Sequence, residues 1–327
     1  MRPAKAAVNR LAIITVNYRA ASDTLECLES IIAGEGAPYI VIVDNASRDG
    51  TIDSFRDWVA KRPELQSEVE FRNGATIAEP LSKHLTFIES STNGGFASGN
   101  NIGLKVAAAT PGIELFWLLN NDTVIEKNAV EAICDYFANE PNIGMAGTQL
   151  RLYHQPERFQ LLNGMTFSKA TGAARGVHAG ASVDSPMKPD AVIEETDFIC
   201  GASLIMSRKF FEAVGFLEED FFLYYEEVDL AYRGKQFPLG YVENAIVFHK
   251  EGASAGSASR LSQRARSPLS EYHHIRSKMI FARKHIPWIL PLYFAQNIVI
   301  WLRRLRRGQS VQAKAVFNAT FGRNLDG

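Results

Sequence analysis

Four short apolar runs in the first half of the chain each stop at a polar cluster, and a helical stretch follows each one. Leu11 to Val16 ends in Asn17-Tyr18 before helical residues Thr24 to Ile32, and Tyr39 to Val43 ends in Asp44-Asn45-Ala46-Ser47 before a helix near Thr51. Leu85 to Glu89 runs into a Gly/Asn-rich turn from Thr92 to Asn101 and a helix through Val106, and Glu114 to Leu119 stops at Asn120-Asn121-Asp122 before a helix from Lys127 to Asn139. Strand and helix in alternation predict a Rossmann-like α/β fold, with a mostly parallel sheet and helices on both faces. In open sheets of this kind ligands bind beyond the carboxyl ends of the strands. Asp44 and Asp122 both stand there.

The second half is less regular. Gly147 to about Asp190 scatters Gly, Ser and Pro through short apolar stretches, which predicts hairpins and loops. Phe198 to Met206 reads as an ordered apolar run, followed by a helix from Arg208 to Val214 and a strand from Tyr241 to His249. A small-residue loop beyond Glu251 is expected to be mobile, and Pro268 to Gly308 reads as helical and basic. There is no internal repeat. We expect one large α/β unit over residues 1–262 and a helical extension over residues 263–327. With 327 residues, 46% apolar and 22% charged, the chain is long and apolar enough for a real core, so disorder is not the default.

A formal net charge of −1 gives no overall pull toward nucleic acid. The charge is uneven, however: from Glu271 onward the acids are Glu271 and Asp326 alone, against ten lysines and arginines. Cys27, Cys134 and Cys200 are odd in number and far apart, with no CxxC pair, and no signal peptide is seen at the start. A reduced, cytoplasmic compartment follows from this reading.

The run from Phe221 to Arg233 places Glu226, Glu227 and Asp229 among aromatic residues. Negative charge in such a setting is unfavourable unless something binds or titrates there. The alternative is a helix with Val228, Leu230 and Tyr232 turned inward and the acids at its first turn, where they favour the helix dipole. Asp229 and Arg233 are spaced to pair across one turn. Asp44 can offer its carboxylate to a base N–H or a ribose hydroxyl, and it equally suits a helix cap or a turn. Asp122 can hold a divalent cation that bridges nucleotide phosphates, and His249, at the end of another apolar run, is the candidate second ligand or else a structural histidine. The stretch Asn93 to Asn101 matches neither GxGxxG nor the P-loop, which disfavours a Rossmann dehydrogenase. Its glycines suit either close approach of backbone to a ligand or a plain strand-to-helix turn.

Taken in order, VNYRA (16–20), VDNASRDGT (43–51), NGGFASGNNIG (93–103), LLNNDT (118–123), the long segment from Gly201 to Arg233 and VFHKEGAS (247–254) closely resemble family 2 glycosyltransferases of the rhamnosyltransferase-like branch. The resemblance implies a GT-A fold, a nucleoside-diphosphate sugar donor, a divalent cation (Mg²⁺ or Mn²⁺) and inversion at the anomeric carbon. It places Thr15 and Asn17 on the nucleotide pocket, Asp44 at the base, and Asn93, Gly95 and Asn100 beside the donor phosphates or sugar. Asn120-Asn121-Asp122 takes the place of a DXD motif, with Asp122 and His249 on the metal. Glu226-Glu227 stands where the family usually has Glu-Asp, and Glu227 is the expected catalytic base, supported by Gly201, Ala202, Asp229 and Arg233. The expected donor is dTDP-rhamnose or a UDP-sugar, and the expected acceptor a saccharide or lipid-linked saccharide in bacterial surface-polysaccharide synthesis. Two departures stand out, Asn120 for Asp and Glu227 for Asp. A sugar nucleotidyltransferase would need a glycine-rich phosphate loop after the first strand, which Val16 to Ala21 does not supply, and a catalytically silent saccharide-binding or scaffold protein is the remaining alternative.

Residues 286–307 are aromatic-rich and run into Arg303-Arg304-Leu305-Arg306-Arg307. Prolines and a Gln-Asn pair interrupt the segment, which is shorter than the roughly 20 apolar residues of a spanning helix. Two readings remain open. The segment suits a helix lying in an anionic membrane interface, on the inner face of the cytoplasmic membrane, and it equally suits a helical pair packed on the large unit or on a second copy in a homodimer.

Overall fold

The computed structural model describes residues 10–73, 79–185, 187–250 and 267–325. Strand β1 (Leu11–Asn17) leads to α1 (Ala21–Ile32), and β2 (Tyr39–Asp44) to α2 (Thr51–Ala60). β3 (Val69–Asn73) and β4 (Leu85–Glu89) precede α3 (Gly95–Ala109), and β5 (Leu115–Leu119) and the short β6 (Thr123–Ile125) precede α4 (Ala129–Asn139). The four expected strand–helix units are present. β3 and β6 carry no such signal in the sequence, β6 because three residues are too few to show a period.

From Met145 the expected hairpins are present. β7 (Met145–Leu152) and β8 (Gln155–Leu162) form an antiparallel hairpin, and β9 (Gly164–Ser168) pairs with β10 (Ala173–Gly176) before the short helix α5 (Pro189–Glu194). Register shifts within the β7–β8 pair break the two-residue alternation by which a strand is recognised. The run Phe198 to Met206 is not one element. β11 (Phe198–Ile199) joins β9 in a three-stranded sheet, whereas β12 (Ser203–Ser207) enters the main sheet between β5 and β7. The turn between them, Cys200 to Ala202, becomes part of the site.

α6 (Arg208–Val214), α7 (Glu226–Arg233) and β13 (Leu239–His249) complete the α/β unit, and α8 (Pro268–His285), α9 (Leu290–Arg306) and α10 (Ser310–Thr320) follow. The expected continuous helical stretch breaks at Ile286, where Pro287 opens a short 3-10 turn. The main sheet runs in the order β3-β4-β2-β1-β5-β12-β7-β13-β6, with β8 paired to β7. Its β3–β5 portion is parallel, and antiparallel pairs enter with β12, β6 and β8. The expected boundary near residue 262 and the loop after Glu251 lie outside the described residues.

Both faces of the sheet are covered, which is why its strands read as unbroken apolar runs. Leu11 and Ile13 of β1 pack with α1, α2 and α4, while Ala12 and Ile14 pack with α3 and α6. A third cluster joins Phe221, Tyr225 and Val228 to Met279, Phe281 and Ala282 of α8. The C-terminal helices are therefore built onto the acidic segment. That settles half of the open choice for residues 286–307: they do pack on the large unit.

Candidate active site

The parallel strands β1, β2 and β5 end on one edge of the sheet, and β12, antiparallel to β5, begins there. At this edge a chain of buried polar side chains runs under the crevice. Asn121 Nδ2 donates to Thr24 Oγ1 at 3.0 Å, the Thr24 hydroxyl lies 2.7 Å from Asn17 Oδ1, and Asn17 Nδ2 donates to Asp44 Oδ1 at 2.7 Å. Asp44 also accepts from the Ser47 hydroxyl and, through Oδ2, from the Ser47 amide at 3.0 Å. The turn role open to Asp44 is thus realised. A carboxylate has about four acceptor sites, so capacity for a ligand remains. Beside it lies a cavity of about 250 Å³ lined by residues including Asp44, Arg48, Thr51, Arg56 and Glu89.

Asn45 carries this network to the Gly/Asn-rich turn, donating to Asn93 Oδ1 at 3.0 Å and to the Gly95 carbonyl at 2.9 Å. Gly95 sits at φ +84°, and a Cβ there would run into the Phe222 carbonyl, which accepts from the Phe96 amide at 2.8 Å. The turn is glycine because the acidic segment presses on it. Two expected pocket residues are enclosed. Thr15 is fully buried with its hydroxyl unpartnered among the described residues, and Asn100, 2% exposed, donates inside α3 to the Phe96 carbonyl at 2.9 Å. Both lie within the core, where local sequence gives no sign of depth.

Asp122 and His249 come together. His249 Nε2 is 3.0 Å from Asp122 Oδ1 and 3.4 Å from Asn120 Nδ2, and its Nδ1 is 2.9 Å from Gln160 Oε1. Nδ1 can donate to Gln160, which would leave Nε2, facing the Asp122 carboxylate, to give its lone pair to a cation. Among the described residues no group of three or more His, Cys, Asp and Glu is arranged to hold a metal ion. Two protein donors of this type fit a hard cation that completes its shell with water and substrate phosphates. The Lys250 amide donates to the Asp122 carbonyl at 3.0 Å, and its ammonium lies 2.6 Å from both Asp23 and Glu26 of α1. Burial works against that ammonium, yet the two carboxylates hold Lys250 above the usual lysine range.

The acidic segment is buried rather than solvated. Glu226 and Asp229 are 2% and 1% exposed, and Glu227 is half-buried, so the acids do not merely dress the first turn of α7. Burial, and next the adjacent Glu227 charge, lifts the Glu226 carboxyl well above the carboxylate range, and its Oε2 has no hydrogen-bond partner among the described residues. Glu227 is also raised by burial, against the pull of its own amide and that of Gly201. A Cβ on Gly201 would collide with Glu227 Oε1. The next carbonyl, Ala202, accepts from the Asn120 amide at 3.0 Å, so a two-residue turn ties Glu227 to the Asn120–Asp122 strand end.

Asp229 pairs with Arg233 Nε at 2.7 Å and with His285 Nε2 at 2.6 Å, so α8 holds the helix that carries Glu227. Sequence reasoning missed Thr24, Asn45, Ser47, Gln160, Lys250 and His285. The first three fall within or beside recognised motifs, and Lys250 follows His249 directly. Gln160 and His285 had no signal, because only tertiary structure brings them to their partners.

The family described as glycosyl transferase family 2 matches residues 12–215. The low-salt glycan biosynthesis hexosyltransferase Agl10 of Haloferax volcanii is 24% identical over 233 residues, covering 69% of this chain and 62% of that protein. The chain thus spans under two thirds of that relative. The dTDP-rhamnosyl transferase RfbF of Shigella flexneri is 21% identical over 229 residues, 68% of this chain and 73% of its own length. Among solved structures, GalNAc-T7 with UDP, GalNAc and Mn²⁺ superposes with a TM-score of 0.55 at 12% identity, over 82% of this chain and 47% of that one. The mannosyltransferase PcManGT of Pyrobaculum calidifontis, in complex with GDP-Man and Mn²⁺, gives 0.52 at 14% identity, over 95% and 86%. The fold is GT-A.

Proposed function

The chain belongs to glycosyl transferase family 2, and from that premise we propose that it transfers a sugar from a nucleoside diphosphate to a saccharide or lipid-linked saccharide hydroxyl, with inversion. The observation that carries this reading is the shared edge of the sheet: the Asp122–His249 pair and the Glu227 carboxylate are linked through Gly201 and Ala202. Residues 1–262 form the catalytic unit in this proposal and 263–327 its extension.

The half-buried Glu227 takes the proton of the acceptor hydroxyl as its oxygen attacks the anomeric carbon. Burial strengthens it as a base by raising its proton affinity, and general-base catalysis of this kind contributes roughly 10²–10⁴-fold. The Gly201 amide and the α7 backbone aim it. Asp122 and His249 would hold Mg²⁺ or Mn²⁺, joined by the Asn120 oxygen once that amide, whose nitrogen faces His249, is turned; the chemistry such an ion supplies is to offset charge on the departing diphosphate. Asn120 supplies a neutral donor where the family pattern has a charged one. Asp44, with Asn45 and Ser47 fixing its turn, borders the nucleoside end. A single displacement from the face opposite the diphosphate inverts the centre.

Rhamnose from dTDP-rhamnose is the donor we favour, because RfbF is a dTDP-rhamnosyl transferase, and UDP-hexoses come next. Such a reaction suits surface-polysaccharide assembly on the cytoplasmic side of a membrane. The test is calorimetric titration of dTDP-rhamnose, UDP-sugars and GDP-mannose with and without Mn²⁺, followed by NMR of the product's anomeric centre. Metal-dependent binding and an inverted product are expected. Absence of both donor binding and donor hydrolysis would leave the silent-scaffold alternative standing.

A further inference from the structure

The C-terminal helices hold most of the protein's exposed apolar surface. Of the twelve large apolar side chains exposed among the described residues, nine lie between Leu269 and Phe321. On and just before α9 they form a stripe: Trp288 is 73% exposed, Leu292 44%, Val299 46% and Leu302 42%. The spacing places them on one helical face. Arg303, Arg306 and Arg307 continue from its end, and none makes an ion pair or a side-chain hydrogen bond with a described residue.

The opposite face holds the helix to the protein through Ile300 and Trp301, which pack against the Tyr272–Val316 cluster, and through polar bonds. Tyr293 donates to the Lys169 carbonyl at 2.6 Å, Gln296 to the Ala170 carbonyl at 2.9 Å, and Arg304 to Glu271 at 2.8 Å. A surface helix in water normally turns its apolar face inward. α9 does so with Tyr293, Ile300 and Trp301, yet it carries a second apolar stripe that faces outward.

We propose that α9 is an interfacial anchor that lies flat on an anionic bilayer, with Trp288, Leu292, Val299 and Leu302 entering the acyl boundary and Arg303, Arg306 and Arg307 contacting lipid phosphates. Charge selects the bilayer over a second copy. Between residues 268 and 325 the one acid is Glu271, which is buried beneath Arg304, so the same face of another chain offers the arginines no anion. The length excludes a crossing: among the described residues no helix is long and apolar enough to span a membrane. Docking would also orient the chemistry, since α8 holds the acidic segment through Ser277 to the Leu223 carbonyl at 3.0 Å and through His285 to Asp229 at 2.6 Å. This deepens the lipid-linked acceptor reading and rests on it only for that last step.

The experiment is flotation of the full chain with vesicles of phosphatidylcholine alone or with about 30% phosphatidylglycerol. Segment deletion is avoided because it would strip α7 of its support. Binding to the anionic vesicles alone, released by about 0.5 M salt, is expected. The triple variant R303E/R306E/R307E should weaken partition on the order of 100-fold, from about a fivefold contribution per base near such a surface. The pair L292E/V299E should abolish it, with circular dichroism unchanged. Failure of wild type to float, flotation unaffected by either variant, or a wild-type dimer that L292E/V299E splits while vesicles stay unbound would each overturn the anchor. A wrong donor assignment would leave flotation intact and show only as absent donor binding, so the two ideas fail separately.

Discussion

The two ends of the crevice are prepared in opposite ways. Under the end proposed for the nucleoside, Asn121, Thr24, Asn17, Asp44 and Ser47 form a buried chain in which each side chain finds a partner. At the other end Glu226 and Glu227 sit side by side, both raised by burial, with one Glu226 oxygen unpartnered among the described residues. A satisfied network is rigid and suits recognition. A carboxylate whose proton affinity is raised by burial, as that of Glu227 is, suits proton transfer, because it gains more from a proton than a solvated one does. One fold therefore spends stability at the acidic pair and recovers rigidity at the floor.

The sharpest break of that contrast is Glu227→Gln. It should lower kcat by roughly 10²–10⁴-fold while calorimetry shows nucleotide affinity within about twofold, since the floor is untouched; retained turnover would refute the assignment. Next is Gly201→Ala, whose Cβ meets Glu227 Oε1. A displaced base should cost on the order of 10²-fold in kcat, with little change in donor binding, and an unchanged kcat would show that Gly201 does not position it. Asn17→Ala attacks the other end by taking one buried partner each from Thr24 and Asp44, and should cost about 1–3 kcal/mol in denaturant unfolding together with weaker nucleotide binding. Stability loss without any loss of affinity would make the chain purely structural.

The smallest effect concerns pH. Glu226 and Glu227 both bind a proton more tightly in the folded chain than in the unfolded one. The stability they contribute is therefore complete below the ordinary glutamate range and is lost as pH climbs through their raised folded values. Thermal unfolding should show wild type gaining stability from about pH 7.5 down toward pH 5, and Glu226→Gln should remove part of that gain and raise Tm by ~2–4 °C near neutrality. The acid limb of kcat should lie above the usual glutamate range. A limb within that range would mean that solvent reaches the pair.

How much of this was readable from the chain varies with the distance over which each interaction acts. The strand ends at Asn17, Asp44 and Asn120–Asp122 are visible because an apolar run and its polar stop are local, and the acidic segment is visible because aromatics flank its charges. The split of Phe198 to Met206 between two sheets is not, since both halves are apolar and only their pairing partners separate them. Gln160 reaches His249 from 89 residues away, and His285 reaches Asp229 from 56. No window on the sequence contains both members. The C-terminal segment was ambiguous for a related reason: its amphipathic character is local, whereas which face meets the protein is decided by Glu271, Lys169 and Ala170.

By itself the sequence determined the alternation of strands and helices, the edge at which ligands belong and the acids gathered near it, because periodicity and local polarity need no partner. Only the tertiary structure decided which of those acids is buried, which oxygen is left without a partner and which face of α9 looks outward. Burial and long-range hydrogen bonds arise when separate elements meet, and their free energies depend on neighbours that the linear order does not place together.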